Sequence, residues 1–436
     1  MAKMINYKNN MKYIHVPMDK KNQIVSIGFI VKVGSRDEDS NNNGISHFLE
    51  HMLFKGTKKR NTNKLLNELD NLGTYYNAMT TYDFTLYEIH GSKKDFLKLL
   101  KIFVNLYLGA NLYQKDINKE RNVILEEYNM VAGDISDHLT NCLMLEIFEG
   151  SNLDLPVIGT SKNIMNFKRK DLVKYRNKFY CPANTTFITV GDIDFDIVSK
   201  YLEKNITFEC NSINQRMHVI PIQEMPRLNI NHIDELGQAH ILFGFHHNGY
   251  LHKEEYNFET KVISSLLTSG SASLLFDILR TKNPLAYNVS SYNCDLEDTS
   301  VFNIQFSVDE KICDFAIELV LKTLKKILKD GISDTQLKKI KKNHINEVNL
   351  SVGNSEIMYF YLEESLKHNF ISYEDNLNKI KNLTRSRVNK AIKHIFRHDN
   401  LNLILYGNFK EKTKKKIIDH LDEWYYYSKK NWKINQ

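Results

Sequence analysis

The sequence of 436 residues has few cysteines and no apolar run long enough to cross a membrane. Its five cysteines stand singly, without a C-x-x-C pair, which indicates neither a disulfide framework nor a zinc site made of thiolates. The most apolar window, 96–113, is interrupted by Lys98 and Lys101 and predicts a buried amphipathic helix. We therefore expect a chain without a membrane span in a reducing compartment.

The sequence also lacks a recognisable targeting signal and a strong excess of one charge. Residues 1–10 have neither the apolar stretch of a secretory signal nor the pattern of an organelle presequence, so the cytoplasm is the default expectation and an organelle matrix the alternative. The 59 basic residues exceed the 52 acidic ones by 7, which is far short of a nucleic-acid-binding footprint. The lysine-rich segment 337–344 is interpreted as the solvated side of a helix. We expect no nucleic-acid partner.

What the sequence does contain is the composition of a folded protein, with 42% hydrophobic and 25% charged residues. At about 100 to 200 residues per domain, this length predicts two domains. Strand and helix patterns alternate up to a strand candidate at 181–192, and the segment 208–232, with Pro221 and Pro226, is irregular. The predicted domains are therefore residues 1–212 and 228–436.

The second half carries a faint copy of the first. The segment "KVISSLLTSG" (261–270) aligns without a gap with "HFLEHMLFKG" (47–56), which suggests an internal duplication. The positions of His47, Glu50 and His51 are taken by Lys261, Ser264 and Ser265 in the second copy. Only the first half is therefore predicted to bind metal.

The motif "HFLEH" carries the chemistry. His47 and His51 are four residues apart on a predicted helix, so both imidazoles lie on one face and can reach one cation, with Glu50 on the same side. A hydrolytic zinc site needs a third protein ligand and a position for water. Glu120 and Glu127 are seven residues apart and share one helix face, so either can supply that ligand, while Glu126 points about 100° away. Without the histidines, a solvated helix face would explain these glutamates better.

The runs "GSRDEDSNNNGISHFLEHMLFKGT" (34–57) and "ERNVILEE" (120–127) resemble the insulinase or pitrilysin family of inverted-motif zinc peptidases. Within this family, the chain resembles specifically the branch of about this length that includes the mitochondrial processing peptidase β-subunit and its bacterial relatives. The resemblance implies an α+β fold of two similar α/β-sandwich repeats, each a mostly antiparallel sheet packed with helices. It also implies one Zn²⁺ per chain bound by His47, His51 and Glu127, with Glu50 as general base and Glu120 orienting the site.

Two further segments share the resemblance. Asn77 and Ala78, in "NAMTTYDFTLY" (77–87), are expected to bind the substrate backbone as an added β-strand. Arg280 and Tyr287 are expected to hold the substrate near the scissile carbonyl. Without the resemblance, Arg280 would be interpreted as a helix-terminal cation and Tyr287 as a packed strand aromatic.

The resemblance implies a zinc metalloendopeptidase that hydrolyses unfolded peptides or protein presequences inside a closed chamber. A homodimer with active sites completed in trans is the simplest assembly, and a heterodimer is the alternative. The chain departs from the family pattern at Thr74 and at Asn283-Pro284, beside the expected site. The competing hypothesis is a noncatalytic scaffold or peptide-binding subunit, in which motif residues are commonly lost.

Overall fold

A computed structural model describes residues 2–209, 216, 218–233, 237–252, 255–351, 353–367 and 370–433. Its strands are β1 (Lys3–Asn6), β2 (Lys12–Val16), β3 (Ile24–Val31), β4 (Gly56–Thr57), β5 (Arg60–Asn61), β6 (Tyr75–Thr80), β7 (Thr85–Ser92), β8 (Thr185–Val190), β9 (Arg227–His232), β10 (Gln238–Asn248), β11 (Val289–Asp295), β12 (Thr299–Asp309) and β13 (Leu401–Gly407).

The α-helices of the described residues are α1 (Ile45–Leu53), α2 (Thr62–Asn71), α3 (Phe96–Gly109), α4 (Gln114–Gly133), α5 (Ile135–Phe148), α6 (Ser161–Asn166), α7 (Arg169–Phe179), α8 (Phe195–Asn205), α9 (Asn257–Leu267), α10 (Leu274–Phe276), α11 (Cys313–Asp330), α12 (Asp334–Ser351), α13 (Asn354–Glu364), α14 (Tyr373–Lys381), α15 (Arg385–Ile395) and α16 (Glu411–Lys433). A π-helical turn, Asp277–Lys282, continues α10.

The chain folds into two compact units. Unit 1 contains residues 1–130, 155–217 and 350–376, and unit 2 contains residues 131–154, 218–349 and 377–436. Each unit therefore takes one segment from the other half of the chain. The division into domains 1–212 and 228–436 stays a prediction, because residues 210–215 and 217 lie outside the described residues.

Unit 1 is built on a sheet with the strand order β1-β2-β8-β3-β7-β6. β2 and β8 are parallel and the other neighbours are antiparallel. The central strand β3 has the sequence IVSIGFIV, and all of its residues after Ile24 are buried, as expected for a strand covered on both faces. β6 lies at one edge, and its residues alternate between exposed and half-buried.

Unit 2 repeats this arrangement. Its sheet has the order β11-β12-β10-β13-β9, in which β9 and β13 are parallel and the other pairs antiparallel. Read from the opposite edge, the order matches β2-β8-β3-β7-β6 of unit 1 strand for strand. The predicted α+β class with two similar sheet-and-helix repeats is confirmed.

The two units exchange equivalent helices. α13, from the second half of the chain, packs on β3 and β8 of unit 1, and α5, from the first half, packs on β10 and β13 of unit 2. Each central strand has a glycine at this contact. A Cβ on Gly28 would lie 2.9 Å from Met358 Sδ of α13, and a Cβ on Gly244 would clash with Leu143 of α5. These glycines let the exchanged helices approach closely.

One expectation from the sequence is wrong, and one helical segment is interrupted. The segment 114–148 is divided into α4 and α5, because Asp134 caps α5 by accepting hydrogen bonds from the backbone N–H groups of Ser136 and Asp137. Cys181 is disulfide-bonded, although the cysteine spacing indicates no disulfide. Within the described part of the chain, every helix is too short or too polar to span a bilayer.

Candidate metal centre

Helix α1 carries both histidines of the motif. Its apolar residues Phe48, Leu49, Met52 and Leu53 are buried in the core of unit 1. The helix is therefore fixed by its apolar face, and the side containing His47 and His51 is turned toward α4. The centroids of the two imidazole rings are 4.7 Å apart.

Helix α4 brings the carboxylates to this face. Its residues Ile117 and Ile124 are fully buried and anchor the helix, and Glu120 is also buried. Glu127 is two turns further along, and its Oε1 lies 3.5 Å from His47 Nε2. Glu127 Oε2 lies 3.2 Å from His51 Nε2.

These three side chains fit a tetrahedral zinc ion. One ligand atom from each of His47, His51 and Glu127 lies within 4.8 Å of the other two. Ligands about 2.1 Å from a tetrahedral Zn²⁺ are separated from one another by about 3.4 Å, which agrees with the two measured distances. The donor set of two imidazoles and one carboxylate leaves a fourth position for water. No second group of this kind occurs among the described residues, including those of unit 2.

Glu120 orients one of the histidines. Its Oε1 lies 2.9 Å from His51 Nδ1, so Nε2 of this ring is left facing Glu127. The other oxygen of Glu120 forms an ion pair with Lys55 Nζ at 2.7 Å. Burial opposes the ionisation of Glu120, but hydrogen bonds from His51 and Lys55 lower its pKa below the ordinary value. The role of Glu120 expected from the family resemblance stays a prediction, and its contact with Lys55 was not predicted.

Without a bound cation, the carboxylates around His51 favour a proton on this imidazole. Hydrogen bonds from His47 and His51 lower the pKa of Glu127, so this carboxylate is ionised. Burial lowers the pKa of His51, but the carboxylates of Glu120 and Glu127 outweigh burial and raise this pKa to about 9. At neutral pH the metal-free protein therefore keeps His51 in its cationic form.

This proton predicts a pH-dependent zinc affinity. Zn²⁺ must displace it, so we expect the affinity to rise about tenfold per pH unit toward pH 9 and to level off above it. The same raised pKa stabilises the metal-free fold below about pH 6.5, and this contribution is lost as the pH rises through about 9. Competition titrations against a chelating dye at several pH values measure the slope. A pH-independent affinity would contradict the assignment of the proton.

The carboxylate of Glu50 lies beside this group but is not part of it. Glu50 Oε2 accepts a hydrogen bond of 2.9 Å from Thr80 Oγ1, at the end of β6. β6 is the edge strand next to α1, and it contains the predicted substrate-binding residues Asn77 and Ala78. Asn77 is exposed and Ala78 is half-buried. In the part of the chain that the structure describes, no strand pairs with the outer side of β6, so this edge of the sheet lies open beside the metal helix. Thr80 was not predicted from the sequence.

Arg280 and Tyr287 are neighbours in unit 2. Arg280 donates a hydrogen bond of 2.8 Å from Nη1 to the carbonyl of Tyr287. The Arg280 guanidinium lies 4.6 Å from the Tyr287 ring centroid and 5.0 Å from that of Phe276, which holds it between two aromatic faces. Tyr287 is 84% exposed, so its interpretation as a packed strand aromatic is wrong. Phe276 was not predicted.

Two residues at which the chain departs from the family pattern, Thr74 and Asn283, form hydrogen bonds with nearby backbone carbonyls. Thr74 follows Gly73, which has a φ of 58°, and the Thr74 hydroxyl donates to the Leu69 carbonyl at the end of α2. Asn283 donates from its side chain to the carbonyl of Ile278 in the π-helical turn. Both residues therefore support the turns in which they lie.

Comparisons with known proteins identify the family of the chain. Residues 13–161 match the family model described as insulinase (peptidase family M16), and residues 166–343 match the model described as the peptidase M16 inactive domain. An uncharacterized zinc protease of Rickettsia bellii is 28% identical over 394 residues, which are 89% of this chain and 93% of the relative. One from Rickettsia felis is 30% identical over 301 residues, covering 69% of this chain and 71% of the relative.

The fold agrees with solved structures as well. A protease from Helicobacter pylori, 23% identical, superposes with a TM-score of 0.83 over 93% of this chain and 99% of that chain. This likeness supports the fold, and the sequence matches supply the family. The Rickettsia felis relative is 30% identical over 71% of its length, and the two M16 models match consecutive parts of this chain. The chain therefore belongs to the insulinase family of zinc peptidases, peptidase family M16.

Proposed function

We propose that this protein is a zinc metalloendopeptidase that hydrolyses peptide bonds of unfolded peptides or protein presequences in a closed chamber. One Zn²⁺ per chain is held by His47, His51 and Glu127. The observation that carries the proposal is the spacing of their ligand atoms, 3.5 and 3.2 Å between Glu127 and the two imidazoles, with the Glu50 carboxylate adjacent and outside the ligand set.

The chain's own residues supply positioning and proton transfer. Zn²⁺ at such a ligand set acts as a Lewis acid that acidifies water and polarises a peptide carbonyl. Glu50 takes the proton of the attacking water and later delivers it to the leaving amine. Glu120 keeps the His51 ring in the orientation that directs Nε2 to the ion.

The exposed edge of β6 binds the substrate. An extended peptide adds to this edge as a further strand, with backbone hydrogen bonds at Asn77 and Ala78. This mode reads the backbone more than the side chains, so it suits unfolded peptides of varied sequence. It also brings the scissile bond beside α1, since β6 neighbours that helix.

Arg280 and Tyr287 complete the site by holding the substrate carbonyl or stabilising the oxyanion. Arg280 is fixed by Phe276 and by the Tyr287 carbonyl, which leaves the exposed phenol of Tyr287 available to donate. The pair belongs to unit 2 and the metal centre to unit 1. We propose a homodimer in which each site is completed by the other chain, with a heterodimer as the alternative.

The first test is metal content together with cleavage. The purified protein is expected to hold about one zinc per chain and to cleave a library of short unfolded peptides, and a chelator should abolish cleavage until zinc is restored. Elemental analysis and mass spectrometry of the peptide products measure both. Zinc binding without any cleavage would favour the noncatalytic peptide-binding subunit, and absence of zinc would contradict both the site and the enzyme.

A further inference from the structure

The general base of the proposed reaction is held by one hydrogen bond from outside its own helix. Thr80 Oγ1 donates to Glu50 Oε2 at 2.9 Å. Among the described residues, Glu50 Oε1 receives no hydrogen bond, so this oxygen is left for a water or a substrate group. A half-buried glutamate samples several rotamers, and a single donor on one oxygen selects the rotamer that the side chain adopts.

Thr80 itself sits on a fixed support. It is the last residue of β6, and the following turn is closed by a hydrogen bond of 2.8 Å from Thr81 N to Phe84 O. Two backbone hydrogen bonds join the turn to the segment 35–38. Ser35 N donates to Thr81 O at 3.0 Å, and Arg36 N donates to Tyr82 O at 3.1 Å. These bonds restrict the backbone from which the Thr80 hydroxyl projects.

A buried ion pair strengthens this tie. Arg36 Nη1 lies 2.9 Å from Asp83 Oδ1, and the two side chains are 3% and 2% exposed. Asp83 belongs to the turn that follows β6. Water is excluded from both partners, and Asp83 Oδ1 also lies 3.4 Å from Arg216 Nη1, so two guanidinium groups neutralise the carboxylate of this turn.

The same segment also holds the beginning of α1. The Glu38 carboxylate accepts hydrogen bonds of 2.7 Å from the backbone N–H groups of Gly44 and Ser46, and one of 3.1 Å from the Asn43 side chain. Residues 35–38 therefore connect the end of the edge strand with the start of the metal helix. This connection fixes Thr80 on β6 relative to Glu50 on α1.

We propose that Thr80 is a positioning residue that aligns Glu50 for proton transfer and couples the substrate-binding edge strand to the base. The inference rests on the proposed function and adds a residue to it. Thr80 affects the reaction only indirectly, by positioning the carboxylate of Glu50. Its loss is therefore expected to slow the chemical step while zinc binding and substrate binding persist.

The variant Thr80→Val removes the donor and keeps the β-branched shape. We expect kcat for a zinc-dependent peptide substrate to fall about 10- to 100-fold, the range for losing a hydrogen bond to a charged group. KM should change by less than about twofold, and zinc content and the thermal midpoint should stay at the wild-type values. Thr80→Ser keeps the hydroxyl and should restore kcat to within a few fold of wild type.

The possible outcomes distinguish a failure of the positioning role of Thr80 from a failure of the proposed peptidase function. Unchanged kcat in Thr80→Val, or an equal loss in Thr80→Ser, would overturn the positioning role while the wild-type enzyme remained active. Loss of zinc or of thermal stability in both variants would indicate a structural role for the strand end and would also overturn the inference. A wild-type protein that binds zinc but cleaves nothing would overturn the proposed function, and the positioning role with it.

Discussion

Glu50→Gln is expected to lower peptide cleavage by at least about a hundredfold while the protein still binds one zinc per chain. The amide cannot take a proton from water, and general acid–base catalysis commonly contributes about 10²- to 10⁴-fold. Zinc should be retained, because the proposed ligand atoms belong to His47, His51 and Glu127. Mass spectrometry of peptide-library products, with zinc content measured on the same samples, gives both quantities.

The substitution is a close match in shape. Glutamine keeps a carbonyl oxygen that can accept the hydrogen bond which Thr80 donates to Glu50, so the local structure should be preserved. Full turnover with zinc bound would show that another group serves as the base. Comparison with wild type on the same library also reveals which products depend on this site, and hence the substrate preference.

Glu127→Gln is expected to lower zinc affinity by more than about 100-fold, whereas Glu126→Gln should leave it unchanged. The neighbouring glutamates provide a matched pair, since Glu127 faces both imidazoles and Glu126 is exposed. A neutral amide is a poor replacement for an anionic ligand of a divalent cation. Competition titration with a chelating dye measures the affinities, and peptide cleavage should fall with zinc occupancy.

Glu120→Gln supplies an intermediate step in this series. Carboxylates that orient a ligating histidine typically contribute about 10- to 100-fold in metal affinity, so its effect should lie between those of the other two variants. If Glu126→Gln removed zinc and Glu127→Gln did not, the ligand role would move to Glu126. If only Glu120→Gln abolished zinc binding, the position of α4 against α1, which brings Glu127 to both imidazoles, would be wrong.

The placement of the metal group could be predicted because its geometry is local. Two histidines four residues apart and two glutamates seven apart must share helix faces wherever those helices lie. Joining the two helices required the family resemblance, since nothing in the spacing itself selects Glu127 over Glu120. The structure brings Glu127 to both imidazoles and leaves Glu120 against one.

The supporting residues could not be predicted in this way. Thr80 contacts Glu50 only because a turn, a buried ion pair and the segment 35–38 fix a strand end beside a helix, and each of these is a tertiary contact. In the sequence, Lys55 is indistinguishable from the many surface lysines of this chain, because its ion-pair partner Glu120 lies on another helix. Long-range contacts of this kind leave no periodic signal in the sequence.

The exchange of α5 and α13 was also invisible in the sequence. Both helices have ordinary amphipathic patterns, and a pattern records that a face is buried without recording which sheet buries it. The duplication was detectable from one aligned segment, but the path of the chain between its copies was not. The sequence suggests the duplication, and the matching strand order of the two sheets supports it.

That exchange also constrains how the protein is made. The outer face of β3 and β8 carries Ile30 and Ile188, which are covered by Met358 and Leu362 of α13. On the ribosome the last strand of this sheet emerges about 170 residues before α13, which at about 5 to 20 residues per second is a delay of roughly 10 to 35 s. During that interval the nascent sheet presents an uncovered apolar surface, the situation in which a chaperone is most useful. Co-translational completion of the unit that carries the metal motif therefore waits for synthesis of the half that lacks it.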